Sequence, residues 1–352
     1  MPPTSPRASL PCVFALVVVA LSGCDRSTND QTTVASAGIV NVYSGRHYDS
    51  DKAVFRAFTE KTGIDVRVIE AEGAQLLERL KAEGEFTSAD VIMTVDAGNL
   101  DRLVDANLLQ PATSPVLDAM PARYRDPERR WHAFAKRARV IVYRKGAVDP
   151  ATVASMDDLT APALRGNICV RTSSNLYNLS LLSARILREG PTKATAWARG
   201  VVANFARPPQ GSDTDQIKAV AAGACQVAIV NHYYVARMAG SPDPADRAVA
   251  EKVGLVFPDQ QGAGAHVNIS GAGISTHAQN LDNARTLLDF MAGAEAQEII
   301  ARLNDEFPIA EGVELPPQLA ALGRFREEDV PFAELGDHQA EAQRIYDAAG
   351  WR

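Results

Sequence analysis

The sequence contains few cysteines and histidines and has a surplus of acidic residues. Its 352 residues include 4 Cys and 6 His, and 43 Asp+Glu against 36 Lys+Arg give a net charge of −7. So few cysteines exclude a disulfide-scaffold protein and a protein with several zinc sites. An acidic chain is also a poor candidate for nucleic-acid binding, because binding to phosphates requires a surplus of Lys and Arg.

Motifs of several large enzyme classes are missing as well. The sequence has no Gly-x-Gly-x-x-Gly, no Walker loop, no His-Glu-x-x-His and no Gly-x-Ser-x-Gly. Hydrophobic residues make up 46% of the chain, which is enough to form large cores and excludes disorder over most of it. The length predicts two domains of roughly 100–200 residues each.

Residues 1–24 have the pattern of a secretory signal peptide. Arg7 is the only charged residue, and the apolar run that follows has about half the length that a permanent membrane span requires. The run ends in Leu-Ser-Gly-Cys, which resembles a bacterial lipobox. We therefore expect cleavage before Cys24, lipidation of its thiol, a flexible tether over residues 24–37, and a location in the periplasm or on the outer face of the cytoplasmic membrane. An ordinary signal peptide that happens to contain Cys24 is the alternative.

Two cysteines remain after removal of Cys12 with the signal peptide and lipidation of Cys24. Cys169 and Cys225 each lie in an apparent strand, and the compartment outside the cytoplasm is oxidising. A disulfide between neighbouring strands is the favoured interpretation, and two buried free thiols are the alternative.

Short β-branched runs alternate with amphipathic stretches along the rest of the chain. This alternation predicts an α/β protein with parallel sheets and helices on both faces. The number of elements requires two doubly wound sheets, and hence two lobes with a hinged cleft between them. The predicted strands are 39–44, 65–71, 89–95, 139–144, 167–172, 226–231 and 254–258. The predicted helices are 51–62, 74–84, 97–107, 176–189, 193–204, 213–223, 233–239, 281–292 and 294–303.

Four of the eight tyrosines lie beside predicted helix starts at three strand-to-helix corners. Tyr48 follows the first strand, Tyr177 follows the run 167–172, and Tyr233 and Tyr234 follow the run 226–231. Open α/β sheets bind ligands at the carboxyl ends of their strands. Core packing would scatter tyrosines along apolar faces instead, so this distribution favours a ligand site.

Phenols gathered in one cleft favour a hard, trivalent metal ion. A phenol has a pKa near 10 and binds most divalent ions poorly, whereas ferric iron stabilises the phenolate directly. The imidazole of His47 is a reasonable further ligand. Four phenolates around a trivalent ion leave one negative charge, which Arg46 or a nearby arginine could offset. The alternatives are structural tyrosine pairs, and an anion cradle formed by Ser173 and Ser174.

At these corners the sequence resembles the periplasmic ferric-iron-binding proteins of bacterial ABC transporters. That family has a bilobed, transferrin-like fold of the type II periplasmic-binding class. The resemblance is closest to its anion-independent branch, in which one His and four Tyr bind the metal, and it extends over roughly residues 39–350. It is carried by the stretches VNVYSGRHYDSD, KRARVIVYRKG, RTSSNLYNLSL, NFARPPQGSDTDQIKAVAAG and VNHYYVARM.

The resemblance implies a metal site and a transport role. Its implied Fe(3+) ligands are His47 and Tyr48 from the N-lobe and Tyr177, Tyr233 and Tyr234 from the C-lobe. The implied ranges are 1–23 for the signal peptide, 24–37 for the tether, 38–139 plus 264–314 for the N-lobe, and 140–263 plus 315–352 for the C-lobe. We expect a monomer that delivers iron to a permease with a separate ATPase, and no enzyme activity. The alternatives are a binder of an oxyanion or small organic cation on the same fold, and a secreted metal-dependent hydrolase.

Overall fold

The computed structural model describes residues 38–352 of the chain. The predicted signal peptide, the lipidated Cys24 and the tether lie outside the described residues and stay predictions. No helix within residues 38–352 is both long and apolar enough to cross a membrane.

Nine strands and thirteen α-helices alternate along the described residues. The strands are β1 Ile39–Ser44, β2 Asp65–Glu70, β3 Val91–Val95, β4 Leu109–Gln110, β5 His132–Arg144, β6 Ile168–Cys169, β7 Val227–Asn231, β8 Val253–Val256 and β9 Val267–Ser275. The helices are α1 Asp49–Thr62, α2 Gly73–Glu83, α3 Ala97–Asp105, α4 Pro115–Ala119, α5 Leu176–Glu189, α6 Pro191–Val202, α7 Asp213–Ala222, α8 His232–Ala239, α9 Pro244–Lys252, α10 Leu281–Ala292, α11 Ala294–Asn304, α12 Pro317–Ala320 and α13 Gln339–Ala349. Six short 3₁₀ turns complete the secondary structure.

The long strand β5 is shared by two sheets. Through Ala138 it pairs with β9, which continues to β3, β1 and β2 in the first sheet. From Arg139 onward it pairs with β7 and β8, and β7 continues to β6 in the second sheet. The change of partner lies beside residues 139 and 140, where the implied N-lobe range gives way to the implied C-lobe range; the lobe ranges themselves stay a prediction.

The centre of each sheet is antiparallel, and the expectation of parallel sheets is wrong there. Strand β5 runs antiparallel to β7, β8 and β9, and β3 runs antiparallel to β9. Only the pairs β1–β2, β1–β3 and β6–β7 among the described strands are parallel. Helices between successive strands are typical of parallel pairs, but local patterns carry no information on the direction of strands that the chain adds much later.

The central strand β9 is the main element that the sequence does not predict. Its Gly-Ala-Gly segment is absent from the predicted strands, and glycine weakens a strand. The structure explains these residues: a Cβ at Gly271 would lie 2.9 Å from the carbonyl oxygen of His132 on β5. The glycines therefore allow β9 to pack closely against its neighbours, and all nine residues of β9 are buried.

Cys169 at the end of β6 and Cys225 just before β7 are joined by a disulfide. Both cysteines are buried, and the parallel pairing of β6 with β7 brings them together. The bridge therefore fixes the two strands whose ends lead into α5 and α8.

Candidate metal centre

The first strand-to-helix corner places Tyr48 immediately before α1. Strand β1 ends at Ser44, and Tyr48 has an extended backbone at the position that precedes the helix. The guanidinium of Arg46 lies 4.6 Å from the centroid of the Tyr48 ring. The turn thus holds this phenol against a buried cation.

The second and third corners place their tyrosines in the first turn of a helix. Asn175 caps α5 by accepting a hydrogen bond from the backbone N–H of Tyr177, at 3.2 Å. Helix α8 follows Asn231 directly, so Tyr233 and Tyr234 also lie within its first turn. A helix N-terminus carries partial positive charge, which favours a phenolate over a phenol.

These corners bring the four predicted tyrosines into one cluster. Tyr233 donates a hydrogen bond from its hydroxyl to the hydroxyl of Tyr177, at 3.3 Å. The rings of Tyr233 and Tyr234 lie 4.3 Å apart, centroid to centroid. Tyr48 interacts electrostatically with Tyr177 and Tyr233, so phenols from all three corners are close enough to influence one another's ionisation.

Tyr48, Tyr233 and Tyr234 are neutral at neutral pH in the absence of a metal ion. Burial raises the pKa of Tyr48 and of Tyr233, and the charge that neighbouring phenols carry once ionised raises both further. Burial, together with Tyr177 and Asp213, raises the pKa of Tyr234 to about 12. A ligand that requires phenolates must therefore displace protons from this site.

The side chain of His47, unlike the four predicted tyrosine ligands, contacts a residue outside the cluster. Its Nδ1 lies 3.3 Å from the carboxylate of Glu70, and half of its side chain is exposed to solvent. It is adjacent to Tyr48 in the chain, so a rotation of its side chain would be needed to turn the imidazole toward the phenols. Its role as a ligand stays a prediction.

Three arginines surround the ring of Tyr177. The guanidinium carbons of Arg137, Arg139 and Arg171 lie 5.4, 5.8 and 5.7 Å from its centroid. Arg139 pairs with the buried Asp213 at 2.7 Å, and Arg171 approaches the same carboxylate at 3.5 Å. Ser212 and Asp215 form the cap of the following helix α7, whereas Asp213 holds the two arginines in place.

Arg46 does not supply free positive charge to the site. Asp51 accepts hydrogen bonds from its Nε and Nη2 atoms, and Glu306 accepts from Nη2 at 3.1 Å. Glu306 also pairs with Arg137 at 3.4 Å. Glu306 lies in an irregular segment after α11 and belongs to no motif, so the sequence does not predict its place beside the site.

His232 is a buried structural partner of the third corner. It accepts a hydrogen bond at Nδ1 from the backbone N–H of Ala138 and approaches the backbone oxygen of Asp305 through Nε2, at 3.0 Å. The first contact requires an unprotonated Nδ1, which makes Nε2–H the donor of the second. Burial lowers the pKa of His232 to about 4, so the imidazole is neutral and both nitrogens are occupied.

The donor set of the cluster suits a hard metal ion that binds phenolate. Residues 38–352 contain no group of three or more His, Cys, Asp or Glu arranged to hold a metal. Any metal held at these corners would therefore rely on phenol oxygens, which lose their protons most readily to a highly charged cation.

The comparison of this chain with protein families gives one clear assignment. Residues 53–327 match the family described as bacterial extracellular solute-binding protein. The chain belongs to this family.

Two relatives within the solute-binding proteins illustrate the range of similarity. The chain is 40% identical to iron uptake protein A1 of Synechocystis sp., over 98% of this chain and 97% of that protein. It is 26% identical to the major ferric iron-binding protein of Neisseria meningitidis, over 96% and 98% of the two chains. Both relatives are named for iron and match almost end to end.

Solved structures of solute-binding proteins share the fold of this chain. The Trichodesmium protein IdiA (FutA), in complex with iron and citrate, is 45% identical with a TM-score of 0.86, over 90% of this chain and all of that one. The ferric binding protein of Campylobacter jejuni is 37% identical with a TM-score of 0.84, over 89% of this chain and all of that one. The predicted two-lobed α/β fold is confirmed. A solute-binding protein acts outside the cytoplasm and carries a ligand rather than transforming it, so the chain is a transport component and no enzyme.

Proposed function

We propose that this solute-binding protein captures ferric iron between its three strand-to-helix corners and delivers it to the permease of an ABC importer. The observation that carries the proposal is the cluster of four tyrosines from three corners, joined by the contact between the hydroxyls of Tyr177 and Tyr233. The names of its relatives, an iron uptake protein and ferric iron-binding proteins, support the same cargo.

The proposed ligands are the phenolates of Tyr48, Tyr177, Tyr233 and Tyr234 with the imidazole of His47. Four phenolates neutralise the three charges of the ion and leave one negative charge. Arg139 and Arg171 share the single carboxylate of Asp213, so the surroundings of Tyr177 retain the positive charge that stabilises such a site. No separate anion is required for charge balance.

The ligands join in an order that the geometry suggests. Tyr233 contacts both Tyr177 and Tyr234, and all three follow strands of the second sheet, so we infer that they form the surface that meets the ion first. Tyr48 and His47 belong to the first corner and complete the coordination when the cleft closes, after His47 leaves Glu70. Closure is then a population shift, driven by ligands that reach the ion only in the closed state.

Attachment to the membrane is part of the proposal. A lipid on Cys24 and the tether over residues 24–37 would hold the protein near the permease. Growth with radiolabelled palmitate, followed by immunoprecipitation of the wild-type protein and a Cys24→Ser variant, tests this step. Label on the wild type alone supports the anchor, and an unlabelled wild type contradicts it.

The test of the cargo is a titration of the purified, metal-free protein with ferric iron supplied in a weak chelator. Coordination by tyrosinate gives a charge-transfer band in the visible spectrum, and the proposal predicts an orange to red protein with one iron per chain. A protein that stays colourless and elutes without iron contradicts the proposal. Gallium, which is trivalent but does not give this band, serves as the control for non-specific colour.

A further inference from the structure

Glu306 lies where the elements that carry the tyrosine cluster meet. Its carboxylate is fully buried and accepts hydrogen bonds from Arg46 at 3.1 Å, Arg137 at 3.4 Å, Ser270 at 3.3 Å and Asn304 at 2.8 Å. Burial raises its pKa, but Arg46 and Arg137 outweigh this effect, and the pKa of Glu306 lies below its usual value. The group is therefore a buried anion at neutral pH.

Each arginine that holds Glu306 also faces a proposed iron ligand. Arg46 lies 4.6 Å from the ring centroid of Tyr48, and Arg137 lies 5.4 Å from that of Tyr177. A single guanidinium thus separates Glu306 from a phenol on either side of the cluster. At this separation, in a buried site, charges influence one another appreciably.

The charges around the cluster are not evenly balanced. Arg46 and Arg137 are matched by Asp51 and Glu306, so this side carries no net charge. The other side keeps a surplus, because Arg139 and Arg171 share Asp213. The balance of the first side depends on Glu306, since the only ion pair of Asp51 within the described residues is with Arg46.

Loading changes the charge of the site, if the proposed function is correct. Four phenolates around a trivalent ion give the loaded site one net negative charge. A nearby carboxylate opposes this change, and a nearby unpaired guanidinium favours it. We propose that Glu306 is a positioning and charge-setting residue that weakens iron binding, keeping the cargo releasable by cancelling arginine charge beside Tyr48 and Tyr177.

The geometry should survive removal of this charge. Arg46 keeps Asp51, to which it donates hydrogen bonds from two nitrogens. Arg137 keeps Ser270 at 2.9 Å and the backbone oxygen of Ile269 at 3.0 Å. A Glu306→Gln substitution retains the shape of the side chain and an acceptor oxygen, so its effect on iron binding reports the loss of the charge alone.

The test is a competition for ferric iron between the protein and a chelator at fixed pH, followed at the tyrosinate band. The variants are Glu306→Gln, Glu306→Asp and Asp51→Asn, with Glu327→Gln as the matched control. Glu327 is a carboxylate that pairs with Lys136 and Arg123, away from the tyrosine cluster. We expect Glu306→Gln to hold iron about tenfold more tightly and Asp51→Asn to change in the same direction, because a unit charge in such a site is worth about 1–2 kcal/mol.

The remaining variants distinguish an effect of the charge of Glu306 from an effect of its place in the structure. Glu306→Asp retains the charge and should bind within about threefold of the wild type, and Glu327→Gln should not change. A purely structural role predicts that Glu306→Gln binds iron more weakly, and equal or weaker binding overturns the inference. Should Glu306→Gln fail to fold in a thermal melt of the metal-free protein, Asp51→Asn decides, and its failure to bind more tightly overturns the inference. A wild type without a band contradicts the proposed function itself, and this inference with it.

Discussion

The hydroxyl of Tyr233 donates a hydrogen bond to the hydroxyl of Tyr177, which lies 56 positions earlier in the chain, with 3.3 Å between the two oxygens. The two phenols come from different corners, so the fold and not the local sequence brings them together. Two oxygens this close can reach the same ion, and the hydrogen bond between them must be lost when both ionise. This contact therefore marks the centre of the proposed site.

Tyr233→Phe should lower the affinity for ferric iron by about 100-fold or more, because it removes a ligand oxygen, and should weaken the visible band. The metal-free protein should lose at most about 1 kcal/mol of unfolding free energy, since the hydrogen bonds of the hydroxyl to Tyr177 and Asn231 are long, at 3.3 and 3.5 Å. Chelator competition and urea denaturation measure the two quantities.

Tyr143→Phe is the matched control, because Tyr143 lies on β5 outside the cluster. Loss of its hydroxyl should leave the affinity for ferric iron unchanged. Tyr48→Phe should cost less affinity than Tyr233→Phe, since Tyr48 joins after capture. Equal or reversed losses would contradict that order.

Iron uptake should release about four protons per ion at pH 7, one for each tyrosine. The pKa of Tyr234 is raised to about 12 and those of Tyr48 and Tyr233 are also raised, so these three phenols are protonated before the metal binds. Affinity should consequently rise with pH and fall on acidification. A titration in weak buffer with an indicator dye counts the protons, with a blank for the chelator, and release of one proton or fewer would exclude a four-phenolate site.

His232 should make the protein less stable in mild acid. Its pKa is about 4 in the folded protein, below the ordinary value of 6.5, so its contribution is fully present above pH 6.5 and is lost as the pH falls toward 4. The loss amounts to about 3 kcal/mol. Urea denaturation at pH 7 and pH 4 should show a smaller difference for His232→Asn than for the wild type, while His277→Asn, at an exposed position, should match the wild type.

Removal of the disulfide between Cys169 and Cys225 should lower the free energy of unfolding by about 4 kcal/mol, because it closes a loop with a sequence separation of 56 residues. The double Cys→Ala variant should keep its iron band, since neither cysteine belongs to the tyrosine cluster. Reduction of the wild type should reproduce the loss. A variant as stable as the oxidised wild type would show that the bridge does not form in solution.

The sequence predicts the position of the tyrosine corners well, because strand ends, helix caps and tyrosines are local signals. The predicted bounds of β1, α5 and α10 match the structure. It misses β9, whose glycines are unusual in a strand, and α13, which lies beyond the last predicted helix. It also misses the antiparallel centre of the sheets, since the direction of a strand depends on partners far away in the chain.

The charges around the candidate site are harder to predict than the phenols. Glu306 and Asp213 look like ordinary surface carboxylates in the sequence, yet both are completely buried against arginines. Burial of this kind arises from tertiary contacts between residues up to 260 positions apart, as with Arg46 and Glu306. A sequence pattern therefore locates the phenols, and only the folded chain identifies what sets their charge.

Because β5 is one continuous strand of 13 residues, it supplies backbone hydrogen bonds to both sheets at once. Loss of either sheet would remove a partner along β5 and expose the neighbouring part of the same strand. The two halves of the molecule are therefore expected to unfold together. Calorimetry should record a single cooperative transition, with no stable half-folded form that could hold the tyrosines of one side alone.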